Sequence, residues 1–302
     1  MIKRIIDISE KAYVYMKHKQ LLIERDKELV GSIPIEDLGA VILQHHAIVI
    51  TQAVIIACQK NNVILVFCDR QHLPYSVILP ISDANSLHTR ILQQQIKIAE
   101  PTRKRLWKQI VQFKISEQAL TLKLLNKNSL PLERLARQVK AGDKENHEAQ
   151  AAQKYWKLLM GNDFRRRVDS GGVNALLNYG YSIVRAMIAR AIVGSGLHPA
   201  LGLHHHNQYN GLCLADDLME PFRPWVDYCV YKMIENNQEL LIDKDSKGIL
   251  LKIPSDNVIW KEKTLPLMVA CHHLTATLKR AYENKQEKLI YPQLTSRMQK
   301  LL

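Results

Sequence analysis

The sequence predicts an α+β protein in which a small N-terminal β-sandwich-like domain precedes a larger all-α domain. Residues 1–80 contain many short runs of β-branched and aromatic residues at close spacing, which is typical of a small sandwich. The rest of the chain has long apolar patterns of helical period and few helix breakers. Turn-forming residues cluster in PISDANS, residues 80–86, so we place the domains at 1–82 and 83–302.

In the N-terminal part we expect short strands and one helix. The helix is placed at residues 52–60, because apolar residues recur there at helical spacing and Asn61-Asn62 follows them. Pro34 has no backbone N–H to donate to a ladder, so its strand is expected at a sheet edge. The expected strands are residues 2–8, 12–16, 20–23, 29–35, 40–43 and 63–68.

The second part is expected to be helical, apart from one extended piece. Residues 174–193 are apolar on all sides, which is typical of the central helix of a bundle. Residues 248–254 are expected to be extended and to form a hairpin. The other expected helices are residues 88–126 with an interruption at Pro101, residues 131–160, a helix around 226–234, and residues 266–287.

The charge distribution favours an anionic partner. The formal net charge is +13 and the pI is about 9.5, while 47% hydrophobic residues describe an ordinary globular protein. Residues 1–80 contain 9 Lys and Arg against 8 Asp and Glu, and the remaining 222 residues contain 33 against 21. Nearly all the excess positive charge therefore lies in the second part. Nucleic acid is the commonest polyanion for such a surface, and a basic surface used for solubility is the alternative.

Cysteine usage and hydropathy predict a cytoplasmic protein with no membrane span. The five cysteines are odd in number and show no C-x-x-C spacing, so we interpret them as reduced thiols, most of them buried. The first residues, MIKRIIDISEK, lack the apolar region of a signal peptide. The longest apolar run, residues 47–58, is short and is interrupted by Thr51 and Gln52.

Residues 202–227, GLHHHNQYNGLCLADDLMEPFRPWVD, have the pattern of a metal site. If the segment around Asp216, Asp217 and Glu220 is helical, all three acids lie on adjoining parts of one face and repel each other unless a cation separates them. An imidazole together with carboxylate oxygens suits Mn²⁺ or Mg²⁺. A solvated acidic helix start, stabilised by the helix dipole, is the alternative interpretation.

Other side chains allow either a nucleic-acid contact or a structural role. Glu148 precedes small residues that permit close helix packing, which would place its carboxylate against a neighbouring element. Trp107 and Phe113 lie in RKRLWKQIVQFK, residues 103–114, where they would stack on bases or, as we favour, belong to the core. Three further residues would either contact the nucleic-acid backbone or, as we favour, bridge helices: Asn174, Asn178 and Tyr179.

Four motifs in order resemble one known family across essentially the whole chain. They are EAQAAQKYW (148–156), NALLNYGYSIVRA (174–186), GLHHHN (202–207) and DDLMEPFRPWVD (216–227). The chain resembles the family of CRISPR-associated protein one, the metal-dependent integrase of spacer acquisition. The pattern is most similar to members encoded beside single-protein RNA-guided effectors.

The resemblance implies catalytic residues and a cofactor. One Glu, one His and one further acid hold Mg²⁺ or Mn²⁺ in that family, and these positions fall on Glu148, His205 and Glu220. With three consecutive histidines, a register slip would make His204 or His206 the ligand. In an extended segment, those two would share one side and His205 would face away. Asp217, one helical turn before Glu220, is a possible additional ligand.

The resemblance also implies the reaction and the partners. A 3′-hydroxyl of a short prespacer DNA duplex attacks a phosphodiester at the repeat border, with candidate phosphate contacts from arginines that equally suit ordinary ion pairs. The implied assembly is a homodimer through the β domain, joined by a small ferredoxin-like CRISPR-associated protein. The candidate DNA-binding arginines are Arg165, Arg166, Arg167 and Arg223.

Three other functions remain open from the residues alone. A structure-specific nuclease would hydrolyse DNA at the same metal with water in place of the 3′-hydroxyl. A non-catalytic DNA-binding scaffold would use the acids as surface residues only. An iron site of the two-His-one-carboxylate kind, using His204 and His206, is disfavoured because no β-barrel pattern surrounds these histidines.

Overall fold

The predicted fold class is confirmed, with β-sheets at the N-terminus and a mostly helical region after them. The computed structural model describes residues 4–69, 74–80, 87–167, 171–236, 240–283 and 288–294. The predicted domain boundary at residue 82 lies outside the described residues, between a strand ending at Ile78 and a helix beginning at His88.

Two four-stranded sheets form the N-terminal region. One has the strand order β1-β5-β7-β8 and the other β4-β3-β2-β6, so Pro34 lies on an edge strand as predicted. Their strands are β1 (Arg4–Ile8), β2 (Tyr13–Lys17), β3 (Gln20–Arg25), β4 (Glu28–Pro34), β5 (Leu38–Leu43), β6 (Val49–Ile50), β7 (Ile64–Cys68) and β8 (Pro74–Ile78).

Tight turns give the second sheet its register. His18 and Lys19 have φ of 50° and 62°, and Asp26 and Lys27 have φ of 48° and 68°. Two consecutive positive φ values are those of the two-residue hairpin turn whose twist matches that of the strands. Each turn therefore joins its strands directly, β2 to β3 and β3 to β4.

The β1-β5-β7-β8 sheet is covered on both faces, which connects the two regions. Alternate residues of β5 point to opposite sides, so Val41 and Leu43 join the core of the β region. Ala40 and Ile42 join the large helical core instead. Every residue of β5 is consequently buried. The helix that covers the second face spans 173–194 and packs against these strands.

The helical region is built around that long helix, labelled α6. Most of its residues are buried, in agreement with the all-round apolar pattern. Gly196, with φ of 81°, follows its end. The helices are α1 (Gln52–Lys60) in the β region, then α2 (His88–Ile96), α3 (Glu100–Leu124), α4 (Leu130–Gln138), α5 (His147–Met160), α6 (Val173–Gly194), α7 (Cys213–Met219), α8 (Arg223–Glu235), α9 (Lys244–Leu250) and α10 (Leu267–Tyr282).

Both long helical stretches are divided in the structure, the first just before Pro101, where an interruption was predicted, and the second without such a prediction. The stretch 88–126 forms α2 and α3, and Pro101 occupies the first turn of α3, where a missing N–H costs nothing. The stretch 131–160 forms α4 and α5, separated by a turn in which Gly142 has φ of 75°. Apolar periodicity alone does not mark the turn at Gly142.

The hairpin predicted at residues 248–254 is wrong, and the region is not all-α. Asp243 accepts a hydrogen bond from the backbone N–H of Ser246, whose hydroxyl accepts one from Asp243 N–H, so this capping box starts α9. A hairpin occurs just afterwards, in a three-stranded sheet. Its strands are β9 (Asn257–Trp260), β10 (Lys263–Pro266) and β11 (Gln293–Leu294).

The cysteines are free thiols, as predicted. Four are buried and Cys68 is half-buried, and burial raises the pKa of the Cys58 thiol to about 12. Among the residues that the structure describes, no helix has the length and apolarity needed to cross a membrane.

Candidate metal and nucleic-acid site

Two of the predicted acidic ligands, Glu148 and Glu220, meet at a single cation. The ammonium of Lys114 on α3 lies 2.7 Å from Oε1 of Glu148 and 2.5 Å from Oε2 of Glu220. All three side chains are largely buried, with exposed fractions of 13% for Lys114, 22% for Glu148 and 7% for Glu220. Burial lowers the pKa of Lys114, but the charges of Glu220 and Glu148 outweigh it and raise that pKa above its ordinary value.

The backbone at Glu148 is held by a residue outside the helix. Glu148 lies in the first turn of α5, where backbone N–H groups have no partner within the helix. Asp143 supplies the acceptors: its Oδ1 receives His147 N–H at 3.0 Å, and its Oδ2 receives Glu148 N–H at 3.0 Å. Fully buried Ala151 faces the core one turn later, which brings α5 close to α3. The small residues after Glu148 thus have the packing role expected of them.

Glu220 lies in a short helical turn between α7 and α8. Its Oε1 accepts from Nε of Arg223 at 2.8 Å. Its Oε2 lies 2.5 Å from the ammonium of Lys114, in a buried ion pair. Burial raises the pKa of Glu220, but the charges of Arg223 and Lys114 more than offset this, so the pKa lies below its ordinary value. Glu220 is therefore a buried carboxylate that remains ionised.

Asp217 organises the three-histidine turn. It is fully buried, and its Oδ2 accepts from the backbone N–H groups of Leu203 at 2.5 Å and His204 at 3.0 Å. Its Oδ1 receives Nδ1 of His205 at 2.6 Å and the His205 backbone N–H at 3.3 Å. Both oxygens of Asp217 are thus engaged within the protein. A Cβ on Gly202 would lie 2.3 Å from the His205 carbonyl, so the turn requires glycine there.

His205 lies within electrostatic reach of both metal-ligand candidates. The hydrogen bond to Asp217 raises the pKa of His205 above its ordinary value, burial lowers it, and the charges of Asp217, Glu220 and Glu148 raise it further. Because an ionised carboxylate can only accept, Nδ1 is the donor and a neutral ring has its lone pair on Nε2. The predicted Glu148, His205 and Glu220 therefore belong to one electrostatic cluster.

Trp107 packs against two of the three consecutive histidines. Its ring stacks on that of His204, with centroids 4.3 Å apart and an interplanar angle of 4°, and meets His205 edge-on at 6.0 Å. Trp107 is 2% exposed, so it is a core residue and does not present a face to bases. Phe113 is half-buried and packs against Tyr291, again as a structural residue.

A cleft of about 160 Å³ opens beside Glu220 and Lys114. Three cationic side chains, those of Lys114, Arg166 and Arg223, contribute to its wall. The guanidinium of Arg223 lies 4.6 Å from the ring centroid of Tyr181, and that of Arg166 lies 5.3 Å from it. The other residues that line the cleft are Gln118, Ala152, Trp156, Tyr181, Glu220 and Asp227.

Two asparagines of α6 hold Arg166 against this cleft. Nη1 of Arg166 donates to Oδ1 of Asn174 at 2.9 Å, and Nη2 donates to Oδ1 of Asn178. These asparagines therefore bridge protein groups, as we favoured from the sequence. Tyr179 has a bridging contact too, because Nε2 of Gln44, after β5, donates to its hydroxyl at 3.3 Å.

The other candidate arginines have different positions. Arg223 makes the ion pair with Glu220, the ordinary role that the sequence left open for it. Arg165 is exposed and donates to the backbone carbonyls of Asn162 and Phe164. Arg167 is also exposed, and its backbone N–H donates to Asn174. The structure thus brings Arg166 and Arg223 together at the cleft and leaves Arg165 and Arg167 on the surface beside it.

The side chains of the site fit a divalent cation in their chemistry but not in their present arrangement. In the described residues, no three His, Cys, Asp or Glu side chains are arranged to bind a metal as they stand, because Lys114 separates the two carboxylates. The donor set nevertheless fits one. Two carboxylate oxygens converge on a single positive charge in a buried setting, and the carboxylate and imidazole donors suit Mg²⁺ or Mn²⁺.

Comparison with known proteins gives the family. A family model described as CRISPR associated protein Cas1 matches residues 7–259, most of the chain. The chain belongs to the Cas1 family. A CRISPR-associated endonuclease Cas1 of Neisseria meningitidis is 38% identical over 226 residues, which are 74% of this chain and 73% of that protein.

Two solved structures share the fold of this Cas1-family chain. A casposase bound to an integration product has a TM-score of 0.78 at 21% identity, covering 96% of this chain and 93% of its own. A chain of a Cas6-RT-Cas1–Cas2 complex has a TM-score of 0.77 at 18% identity, covering 97% of this chain and 36% of its own.

Sequence reasoning missed Lys114, Asp143 and the role of Trp107. Lys114 was visible only as one basic residue of the RKRLWKQIVQFK pattern, where most lysines lie on a solvated face. Asp143 had a usable signal, because an acid shortly before a helix start often caps it. Nothing in the local pattern indicated that Trp107 would stack on a histidine 97 residues further along the chain.

Proposed function

We propose that this protein is a DNA integrase and endonuclease of CRISPR adaptation, dependent on Mg²⁺ or Mn²⁺, that joins the 3′-hydroxyl ends of short DNA duplexes to the repeat array. The observation behind the proposal is the convergence of Glu148 and Glu220 on one cation position, within electrostatic range of His205 and with Glu220 at a cleft that Lys114, Arg166 and Arg223 line. Membership of the Cas1 family, whose Neisseria member is named an endonuclease, supports the nuclease activity. The fold shared with a casposase bound to an integration product supports strand joining.

In this proposal, Glu148, Glu220 and His205 hold the metal. A bound divalent cation would polarise the scissile phosphate and stabilise charge on the leaving oxygen. Asp217 is assigned to positioning, since its contact with Nδ1 leaves Nε2 as the coordinating nitrogen of His205. This assignment favours His205 over its two neighbours, because His204 stacks on Trp107 and His205 is the partner of Asp217.

The cationic cleft is proposed to hold the DNA backbone. A guanidinium matches phosphate oxygens, and Arg166 is already fixed by Asn174 and Asn178. Binding of a phosphate there would place the neighbouring phosphodiester against Glu148 and Glu220. The attacking hydroxyl would then already be aligned, so little entropy is lost at the moment of reaction. Arg165 and Arg167, exposed beside the cleft, would add sequence-independent backbone contacts.

We also propose two protein partners. One is a second copy of this chain, paired through the β region, where edge strand β4 exposes Leu29 and Val30. The other is a small ferredoxin-like protein of the kind named Cas2 in the similar complex.

An integration assay tests the activity. Purified protein, a supercoiled plasmid containing the repeat and a labelled short duplex are incubated with Mn²⁺ or EDTA, with and without the small partner. We expect label joined covalently to plasmid, in Mn²⁺ only. Glu148→Ala, Glu220→Ala and the isosteric Glu220→Gln should abolish joining and keep most duplex binding, because the acids hold metal and not the DNA backbone.

Glu235→Ala is the matched control. It removes the same charge from an exposed glutamate at the end of α8, paired only with Lys232 among the contacts described, and should join normally. Full joining by a Glu148 or Glu220 variant would refute the site. Metal-dependent nicks with 5′-phosphate ends and no joined label would indicate the hydrolytic nuclease, and tight binding with unchanged DNA would indicate the scaffold.

A further inference from the structure

Lys114 occupies the position that the proposed metal would need. Its ammonium lies between Glu148 and Glu220, within 2.7 and 2.5 Å of one oxygen of each. Arg223 binds the other oxygen of Glu220, Oε1, so Lys114 occupies the oxygen that would be left for a metal, Oε2. An ammonium and a divalent cation cannot both lie within contact distance of these two oxygens, because their like charges would repel strongly in this buried setting.

The lysine also has a role before any metal is bound. Glu148 and Glu220 are both largely buried, and two carboxylates facing each other without a cation would repel or take up a proton. Lys114 removes that repulsion. It projects from the middle of α3, whose Val111 and Ile115 are fully buried, so the backbone beneath it is rigid.

The cleft beside Lys114 offers space into which its side chain can rotate. A lysine has four rotatable methylene carbons, and Lys114 itself lines the adjoining cleft of about 160 Å³. Rotation of the side chain would move the ammonium from the carboxylates into this cleft without any change in α3. The cleft is where we propose that a DNA phosphate binds, so the displaced charge would meet a favourable partner.

We propose that Lys114 is an internal cation that holds the site assembled in the metal-free protein and competes directly with the divalent metal for Glu148 and Glu220. This inference rests on the proposed metal site. Metal binding then requires that the ammonium be displaced, so the protein gives up two ion pairs when it gains the metal. Lys114 acts through the two ligands and is therefore a positioning residue.

The first test is Mn²⁺ binding without DNA, measured by isothermal titration calorimetry and by electron paramagnetic resonance of unbound Mn²⁺. Lys114→Met keeps the length of the side chain and removes its charge. We expect its dissociation constant for Mn²⁺ to be at least about tenfold lower than that of the unmodified protein, since no ammonium must be displaced. Lys123→Met neutralises an exposed lysine on the same helix and is the control. It should have the same dissociation constant for Mn²⁺ as the unmodified protein.

A second measurement does not depend on the variant folding. The unmodified protein is treated briefly with an amine-acetylating reagent, with Mn²⁺ or with EDTA, and the peptides are quantified by mass spectrometry. We expect acetylation of Lys114 to be several-fold faster with Mn²⁺, because the ammonium leaves its two ion pairs, and that of Lys123 to be unchanged.

The outcomes separate this inference from the proposed function. Mn²⁺ binding that is equal or weaker in Lys114→Met, or Lys114 acetylation that is unchanged or slower with Mn²⁺, would overturn the inference and leave the metal site intact. Failure of both proteins to bind Mn²⁺ would overturn the metal site and the inference together.

Discussion

The buried acids of this protein differ in charge because their neighbours differ. Glu220 and Asp227 are both buried and lie at the same cleft. Glu220 is paired with Arg223 and Lys114, whose charges hold its pKa below the ordinary value in spite of burial. Burial raises the pKa of Asp227 to about 7, although the hydroxyl of Tyr181 donates to it. At neutral pH, Glu220 is thus suited to hold a cation, whereas Asp227 is near its point of titration.

The raised pKa of Asp227 predicts that the free energy of unfolding depends on pH. The folded protein keeps a proton on Asp227 that the unfolded chain, with the ordinary pKa of 3.8, has already released. The free energy of unfolding therefore falls as pH rises from about 4 towards 7. Urea unfolding of both metal-free proteins at pH 5 and pH 8 measures this effect. Between these pH values, the free energy of unfolding of the unmodified protein should fall further than that of Asp227→Asn, by on the order of 2 kcal/mol.

Asn is the suitable replacement because its side-chain oxygen still accepts from Tyr181 but does not titrate. If Asp227→Asn and the unmodified protein change in parallel between these pH values, Asp227 is not the group responsible.

At the scale of elements, close approach of backbone segments shapes the site. The chain turns sharply at Gly202 so that three consecutive residues face the Asp217 carboxylate. A Cβ at this position would lie 2.3 Å from the carbonyl oxygen of His205 and 2.9 Å from Oδ2 of Asp217. The carbonyl belongs to the backbone, and the Asp217 carboxylate is held by its hydrogen bonds to Leu203 and His204, so neither atom can move away without breaking the turn.

Gly202→Ala is expected to damage the histidine turn. The clash should lower the free energy of unfolding by about 1–3 kcal/mol and weaken Mn²⁺ binding, because His205 would no longer be held by Asp217. Denaturant unfolding and Mn²⁺ titration measure the two effects. Gly211→Ala is the control, since a Cβ there meets nothing within 4 Å, and it should change neither quantity. Equal behaviour of the two variants would contradict the assigned role of Gly202.

At the scale of the molecule, polar contacts join the β region to the helices that form the site. Lys247 of α9 donates to Oε1 of Gln44 at 2.6 Å, and Nε2 of Gln44 donates to Oδ1 of Asp7 on β1 at 2.6 Å. Together with α6 packed on β5 and β7, these contacts attach the β region to the helical core. Any dimer formed through the β region would therefore place two of the proposed metal sites at a defined separation.

The edge of the second sheet is the expected dimer contact. β4 is an edge strand with exposed Leu29 (58%) and Val30 (53%), and an exposed apolar edge favours pairing with another strand. Sedimentation should give about twice the chain mass of 34.7 kDa, and Val30→Lys should give monomers, because a charge at the edge opposes pairing.

Ile56→Lys places the same charge on exposed Ile56 of α1 and should remain dimeric. A monomeric unmodified protein would refute the dimer, and a dimeric Val30→Lys variant would place its interface elsewhere.

Local pattern was sufficient for much of this protein. Alternating and continuous apolar runs located most N-terminal strands, and helical periodicity located α1 and the buried α6. Four motifs in order were sufficient to recognise the family, because the residues within each motif are close together in sequence. Where the prediction failed, at residues 248–254, a capping box between Asp243 and Ser246 outweighed a short apolar run.

The arrangement around Lys114 depends on contacts between distant parts of the chain. Its partners, Glu148 and Glu220, are 34 and 106 residues further along, and nothing near Lys114 distinguishes it from a surface lysine. Packing of α3 against α5 and the turn at Glu220 brings the three charges together. The family resemblance thus named Glu148 and Glu220 as candidate ligands, whereas helix packing placed a lysine between them, because charges interact through distance in space and not along the chain.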